Sequence, residues 1–219
     1  MVYRTLMVVV DDDPGLDRRL ECARLLARRF DAFVRGLHVM PLPIIPVGYG
    51  EAAAYIAPEM IEAQRAANRQ TAARLREQFE QALNELLPEV EWRAREGQPS
   101  LVAVQEARSV DLTIAPQSQG RGLEVLEPDV AEHLAMGAGG PVLVLPSQLA
   151  KPDVGRQVVV GWNGSRQACR ALHDALPFLA VADRVSLLAI GSEEDTPGFH
   201  DALAMLRRHG VEAEPVRVP

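Results

Sequence analysis

Apolar and polar positions along the chain alternate between two rhythms. "TLMVVV" (5–10) is a continuous apolar run rich in β-branched residues, as a strand covered on both faces would be. It stops at Asp11, Asp12, Asp13 and Pro14, residues that cap and open a helix. "LDRRLECARLLARRF" (16–30) then sets Leu16, Leu20, Ala23, Ala27 and Phe30 on one helical stripe. "AFVRGLHVM" (32–40) is a second strand. The four prolines within 41–59 predict an irregular excursion at its end, followed by a helix over about 59–87 that Pro88 closes. "VEWRARE" (90–96) alternates like an edge or half-buried strand, with Trp92 packed under the preceding helix. A helix opened by Pro99 and Ser100, a buried strand at 110–115, another helix and the strand "GGPVLVLP" (139–146) complete the series. The order β-α-β-α-β-α-β-α-β implies right-handed crossovers and a parallel sheet with helices on both faces.

After the polar linker 147–155 the rhythm restarts, with strands in 156–165, 184–190 and 211–218 and helices at 166–180 and 199–210. "LMVVVD" (6–11) and "VVVGWN" (158–163) occupy the same place in the two series, which marks an internal repeat of a whole α/β domain. The expected organisation is a first domain over 1–146, a linker over 147–155 and an incomplete second copy, its first three strands, over 156–219. That second copy would leave its first strand with an unpaired apolar edge. Either the chain is a fragment of a protein about 60 to 80 residues longer, by comparison with the first repeat, or another chain covers the edge.

Composition narrows the chemistry. The chain has 219 residues, a formal charge of -7 and a single lysine, Lys151, so it carries no electrostatic footprint for nucleic acid. Cys22 and Cys169 form neither a disulfide framework nor a metal spacing, and no metal site is expected. No signal peptide opens the chain and no apolar run reaches the ~20 residues that span a bilayer, so a cytoplasmic protein without membrane contact is expected. The five histidines have no motif partners, and no set of nucleophile, base and orienting acid is assembled.

Phosphate chemistry needs separate testing. "LTIAPQSQGRGLEVLEPDVAEHL" (112–134) reads as strand, turn with Gly120 and Gly122, then helix, a layout that can hold a phosphate at helix N–H groups. A P-loop needs its lysine before Ser or Thr, and Lys151 precedes Pro152. No GxGxxG follows the first strand of either half. "VVVDDDPG" resembles the opening of two-component receiver domains, but the later strand ends lack the phosphorylatable aspartate and the lysine such a site needs.

"LMVVVDDDPGLDRRLECARLLARRFDAFVRGLHV", the series "VDLTIA", "DVAEHL", "GGPVLVLP", and "VVVGWNGSRQACRALHDALP" together resemble the universal stress proteins in their tandem two-domain form. The resemblance implies a Rossmann-like α/β fold, a parallel five-stranded sheet of order 3-2-1-4-5, followed by the partial second copy. It also implies an aspartate at the end of the first strand and a G-x2-G-x9-G-[S/T] phosphate motif after the fourth. Counted back from "VAEHL", the motif positions fall on Ala115, Ser118, Pro128 and Asp129. Side chains then stand where backbone must approach phosphate, Pro128 removes a donor, and the Asp129 carboxylate would repel phosphate by roughly 1 kcal/mol at ~4 Å in water. Gly120 and Gly122 miss the motif positions.

The expectation is therefore a non-catalytic stress-response protein, a binding or adaptor module with no cofactor. The alternative is a protein binding ATP with Mg²⁺, in which Asp11, Asp12 and Val39 line an adenosine pocket. In the second half Asn163, Gly164 and Ser165 stand in the place of the strand-end aspartate and its turn. The resemblance points to a homodimer, or to pairing of domains within the chain, through the 141–146 strand.

Overall fold

The five short strands of the first part are β1 (Thr5–Val9), β2 (Phe33–Met40), β3 (Val90–Glu96), β4 (Leu112–Pro116) and β5 (Val142–Leu145). A computed structural model describes residues 2–43, 53–83, 90–117, 130–148, 150–192 and 194–219, at 53–57 the backbone alone. In it the strands are all parallel and lie in the order β3-β2-β1-β4-β5. The sequence rhythm explains the centre of the sheet. Leu6, Met7 and Val8 of β1 are completely buried, as a strand covered on both faces requires.

The helices are α1 (Leu16–Phe30), α2 (Ala53–Leu83), α3 (Pro99–Ala107) and α4 (Val130–Gly137). Steps from β1 to β2 to β3 run one way along the sheet and the later steps run back, so right-handed crossovers put α1 and α2 on one face and α3 and α4 on the other. On the α3/α4 face, Met7, Val9 and Leu37 pack with Ala103, Ala107, Ala131 and Leu134. On the other, Leu75, Phe79 and Leu83 of α2 are fully buried. Trp92 lies beneath α2, its ring 5.5 Å from that of Phe79, in the place its alternating strand implied.

The helix after β2 begins earlier than its prolines suggested. It starts at Ala53 and carries Pro58 inside it. Ala57 precedes the proline and Glu59 follows it, both good helix formers, and near a helix start a proline removes only one internal hydrogen bond. Pro88, expected to end this helix, lies outside the described residues, as does 44–52 of the excursion.

The chain divides into two compact units, Arg4–Pro152 and a second formed by Asp153–Pro219 with the first three residues. The second contains β6 (Gln157–Gly161), α5 (Arg166–Leu179), β7 (Arg184–Ile190), α6 (Phe199–Arg208) and β8 (Ala213–Val218), its parallel sheet in the order β6-β7-β8. Val185, Leu187 and Ala189 are buried with Leu172, Leu203 and Leu206 of the helices. Side chains on the other face stay open, Val159 beside Ser186 at 66% and Ile190 at 67% exposure. Within this unit Tyr3 donates its hydroxyl to the Asp174 carbonyl and sets its ring edge-on to Phe178 at 5.5 Å. Among the described residues no helix is long and apolar enough to cross a membrane.

Candidate functional site: the crevice at the ends of β1 and β4

β1 and β4 are neighbours, yet the chain leaves them in opposite directions, to β2 and to β5. The connections that follow them therefore diverge at their carboxyl ends, and the crevice so formed is the usual place for a ligand in a doubly wound sheet. The acidic triplet sits at this point, and arginines engage every member of it.

Asp11, with its side chain 41% exposed, accepts a hydrogen bond from Nη2 of Arg19. Arg19 lies in the first turns of α1 and is only 2% exposed; its Nε donates to the Val9 carbonyl at 2.9 Å. One guanidinium thus ties the strand end to the helix that follows. Its Nη1 is 3.6 Å from Asp13 Oδ1, and the same oxygen accepts the Gly15 N–H at 2.7 Å. Asp12 pairs with Nη2 of Arg74 on α2 at 2.9 Å. The turn leaves no room for a larger residue, since a Cβ on Gly15 would lie 2.7 Å from the Ser147 Cα. Burial pushes the Asp11 carboxyl above its ordinary value, Arg19 pulls it back, and the Asp13 charge adds to the rise.

The wall beside this turn is built from β2. His38 is buried and donates Nδ1–H to the Val10 carbonyl at 2.8 Å, since a carbonyl can only accept. Its ring stacks on Trp92 at 6.2 Å. Val39 is half-buried against the apolar cluster of the α3/α4 face. Beyond it, a cavity of about 140 Å³ is lined by Met40, Arg65, Asn68, Arg69 and Glu96. This is below the ~300 Å³ at which small-molecule pockets begin. On the β4 side Ala115 is completely buried within the strand and is paired with Val144, its methyl in the cluster with Ala131 and Leu134. Ser118, Pro128 and Asp129, with Gly120 and Gly122, lie outside the described residues.

The equivalent turn of the second unit is closed by its own chain. Asn163 Oδ1 accepts the Ser165 N–H at 3.1 Å, and Ser165 Oγ caps α5 by accepting the Ala168 N–H at 3.2 Å. Gly164 has φ +71°, and a Cβ there would meet Pro197 at 2.7 Å. Trp162 Nε1 donates to the Pro197 carbonyl at 3.0 Å. The segment carrying Pro197 is itself fixed. Thr196 Oγ1 donates to the Ser192 carbonyl at 2.8 Å and accepts from Arg217 at 2.9 Å. Asn163, Gly164 and Ser165 are thus all engaged within their own unit.

The structure brings Asp11 and Asp12 to the crevice mouth and places Val39 in its wall. It adds two residues that the motif pattern did not single out, Arg19 and Arg74. Arg19 carried a signal, because it lies three residues from Leu16 and four from Ala23, on the apolar side of α1. Among the described residues no group of three or more His, Cys, Asp or Glu could hold a metal ion.

Residues 2–146 match the model of the universal stress protein family. Among solved structures, a universal stress protein from Archaeoglobus fulgidus is 14% identical with a TM-score of 0.71, the match covering 98% of this chain and 76% of that one. A hypothetical protein whose structure was a test case for structure-based assignment of biochemical function is 17% identical with a TM-score of 0.52, over 68% of this chain and 100% of its own. Universal stress protein UspA from Lactobacillus plantarum is 20% identical with a TM-score of 0.49, over 66% of this chain and 99% of its own. At these identities the likeness is one of fold. No curated protein matches the chain significantly.

Proposed function

The chain belongs to the universal stress protein family, and from that premise we propose that it is a non-catalytic stress-response module that acts by binding a protein partner, without ATP. The observation that carries this reading is the engagement of the acidic triplet. Asp11 and Asp13 are held by a buried arginine, and Asp12 by Arg74. Arg19 occupies Oδ1 of Asp11 and balances its charge, which weakens what that carboxylate offers to a nucleotide or its Mg²⁺. The sequence supports the same view, with a proline and a carboxylate at the motif positions 128 and 129. The engagement of Asp11 and Asp12 by arginines argues against ATP with Mg²⁺ as the ligand. Among the described residues, the one histidine of the crevice wall, His38, is committed to the Val10 carbonyl and to Trp92, which supports a non-catalytic reading.

The exposed edge of β5, where Val144 is 42% exposed, is the surface we assign to pairing with a second copy. The second reading, an ATP-binding member, is favoured by the position of the crevice at the reversal of strand order. Calorimetric titration of the purified chain with ATP and ADP, each with Mg²⁺, separates the two. The expected result is no saturable heat at micromolar ligand. A micromolar dissociation constant that Asp11→Asn abolishes would establish the second reading instead.

A further inference from the structure

We propose that the second unit binds a small organic amine, an ammonium group on an apolar body, in a cavity between α5 and the end of α6. The cavity encloses about 320 Å³ and is lined by His173, Asp174 and Leu176 of α5, by Ala180 that ends it, and by His209 and Val211 beyond α6. That volume reaches the ~300 Å³ at which small-molecule pockets begin. All six residues lie in one compact unit, on the helices that join β6 to β7 and β7 to β8.

The polar part of the lining accepts hydrogen bonds. Nδ1 of His173 lies 2.9 Å from the Cys169 carbonyl, and a carbonyl can only accept. Nδ1 of the neutral ring therefore carries the hydrogen, and Nε2 presents a lone pair. Asp174 adds a half-buried carboxylate, which Nη2 of Arg170 approaches at 3.8 Å, leaving room for a closer cation. Both helices end at this place, α5 at Ala180 and α6 at His209, and helix C-termini carry partial negative charge. Among the described residues, Arg207 and Arg208 of the last turn of α6 do not line the cavity. A lone pair, a carboxylate and two helix C-termini select a cation that donates N–H groups. Among the described residues no three His, Cys, Asp or Glu are grouped to hold a metal ion, so the cation is organic. Leu176, Ala180 and Val211 supply the wall for its apolar body.

The first unit carries different chemistry at the same helix positions. Counted from Asp11 and Asn163, His173 corresponds to Glu21 and Leu176 to Arg24. Arg24 Nε donates to Glu21 at 2.8 Å, so the two side chains satisfy one another. In α5 an imidazole and an apolar side chain replace that pair, and the surface they form is open to a ligand.

Titration of the full chain with 2-phenylethylamine tests this, followed by calorimetry and by the NMR resonances of the His173 and His209 rings. Phenylacetate and 2-phenylethanol serve as anionic and neutral analogues of the same body. The expected result is saturable binding of the amine at about 1 mM or below, about tenfold or more tighter than either analogue, with both rings shifted. Asp174→Asn keeps the backbone carbonyl that the Tyr3 hydroxyl uses, and it should weaken amine binding about tenfold. Ala180→Leu adds bulk to the cavity wall and should weaken it similarly. The ring shifts are read on the unaltered chain, so they stand whether or not a variant folds. No saturation by the amine, an analogue that binds as tightly, affinity unaltered in either variant, or shifts at the turn of Asp11 and Asp12 in place of the two rings each overturns the proposal.

Discussion

At the end of β1 the chain carries Asp11, and at the equivalent end of β6 it carries Asn163. Both residues begin a turn into a helix, and each crevice is closed by different chemistry. In the first unit a buried guanidinium holds the turn by charge, with Arg19 reaching Val9, Asp11 and Asp13. In the second the turn is neutral. Asn163 and Ser165 satisfy the backbone, and Pro197 fills the space above Gly164. The same strand-turn-helix frame therefore tolerates loss of the aspartate only where another segment takes over the filling.

The largest expected effect breaks the charged version. Arg19→Met should destabilise the first unit by about 3 kcal/mol in urea unfolding, because two carboxylates lose their buried counterion. Adding Asp11→Asn should recover part of that loss. A single variant within about 0.5 kcal/mol of the parent would mean that the arginine is not a lock.

Gly164→Ala probes the neutral version and should cost about 1–3 kcal/mol in the second unit, combining a left-handed backbone with the Pro197 contact. In a double-mutant cycle, Pro197→Ala should relieve the steric share and leave the backbone share. Full additivity would show that the segment above the turn is not seated on it.

The smallest effect sharpens the contrast by titration. Burial raises the folded-state Asp11 above its ordinary 3.8, so the folded chain holds that proton more tightly than the unfolded chain does. The parent should therefore gain stability relative to Asp11→Asn as pH falls through the folded value, with the gain complete below 3.8. Glu91 and Glu106 act in the opposite sense. Burial pushes both up, but hydrogen bonds from Arg93, with Arg35 on Glu91 and Arg95 on Glu106, outweigh it and hold them below 4.5. Their contribution is lost on acidification, and it cancels in the difference between parent and variant. A flat difference would place Asp11 in solvent. Asn163 does not titrate, so the second turn has no such step.

Much of this was legible in the residues. The apolar run of β1, the alternation of β3 and the recurrence of "VVV" at 158–160 follow from strand period alone, and the family resemblance supplied the strand order. Trp92 could be assigned to packing because its neighbours alternate. The state of the carboxylates was not legible. Asp11 and Asp12 read as candidate ligands until Arg19, one arginine among several in α1, proves to point inward. Helical period places it on the apolar side, but only the fold shows that the side chain returns to its own strand. Pro197 lies over thirty residues from Gly164, and no local pattern links them. The start of α2 was misread because prolines were weighed as breakers when one of them sits near a helix start.

The ring of Tyr3 has a consequence for the order in which the molecule can assemble. It joins Asp174 across 171 residues of sequence, inside a unit that beyond the first three residues consists of Asp153–Pro219. Tyr3 leaves the ribosome before the partners it packs on, and the whole of the first sheet can form in the interval. The second unit must then recapture a segment made long before it, a long-range closure of the kind that slows folding. Tyr3 is thus a latch for a unit made well after it, set only when synthesis has passed α5.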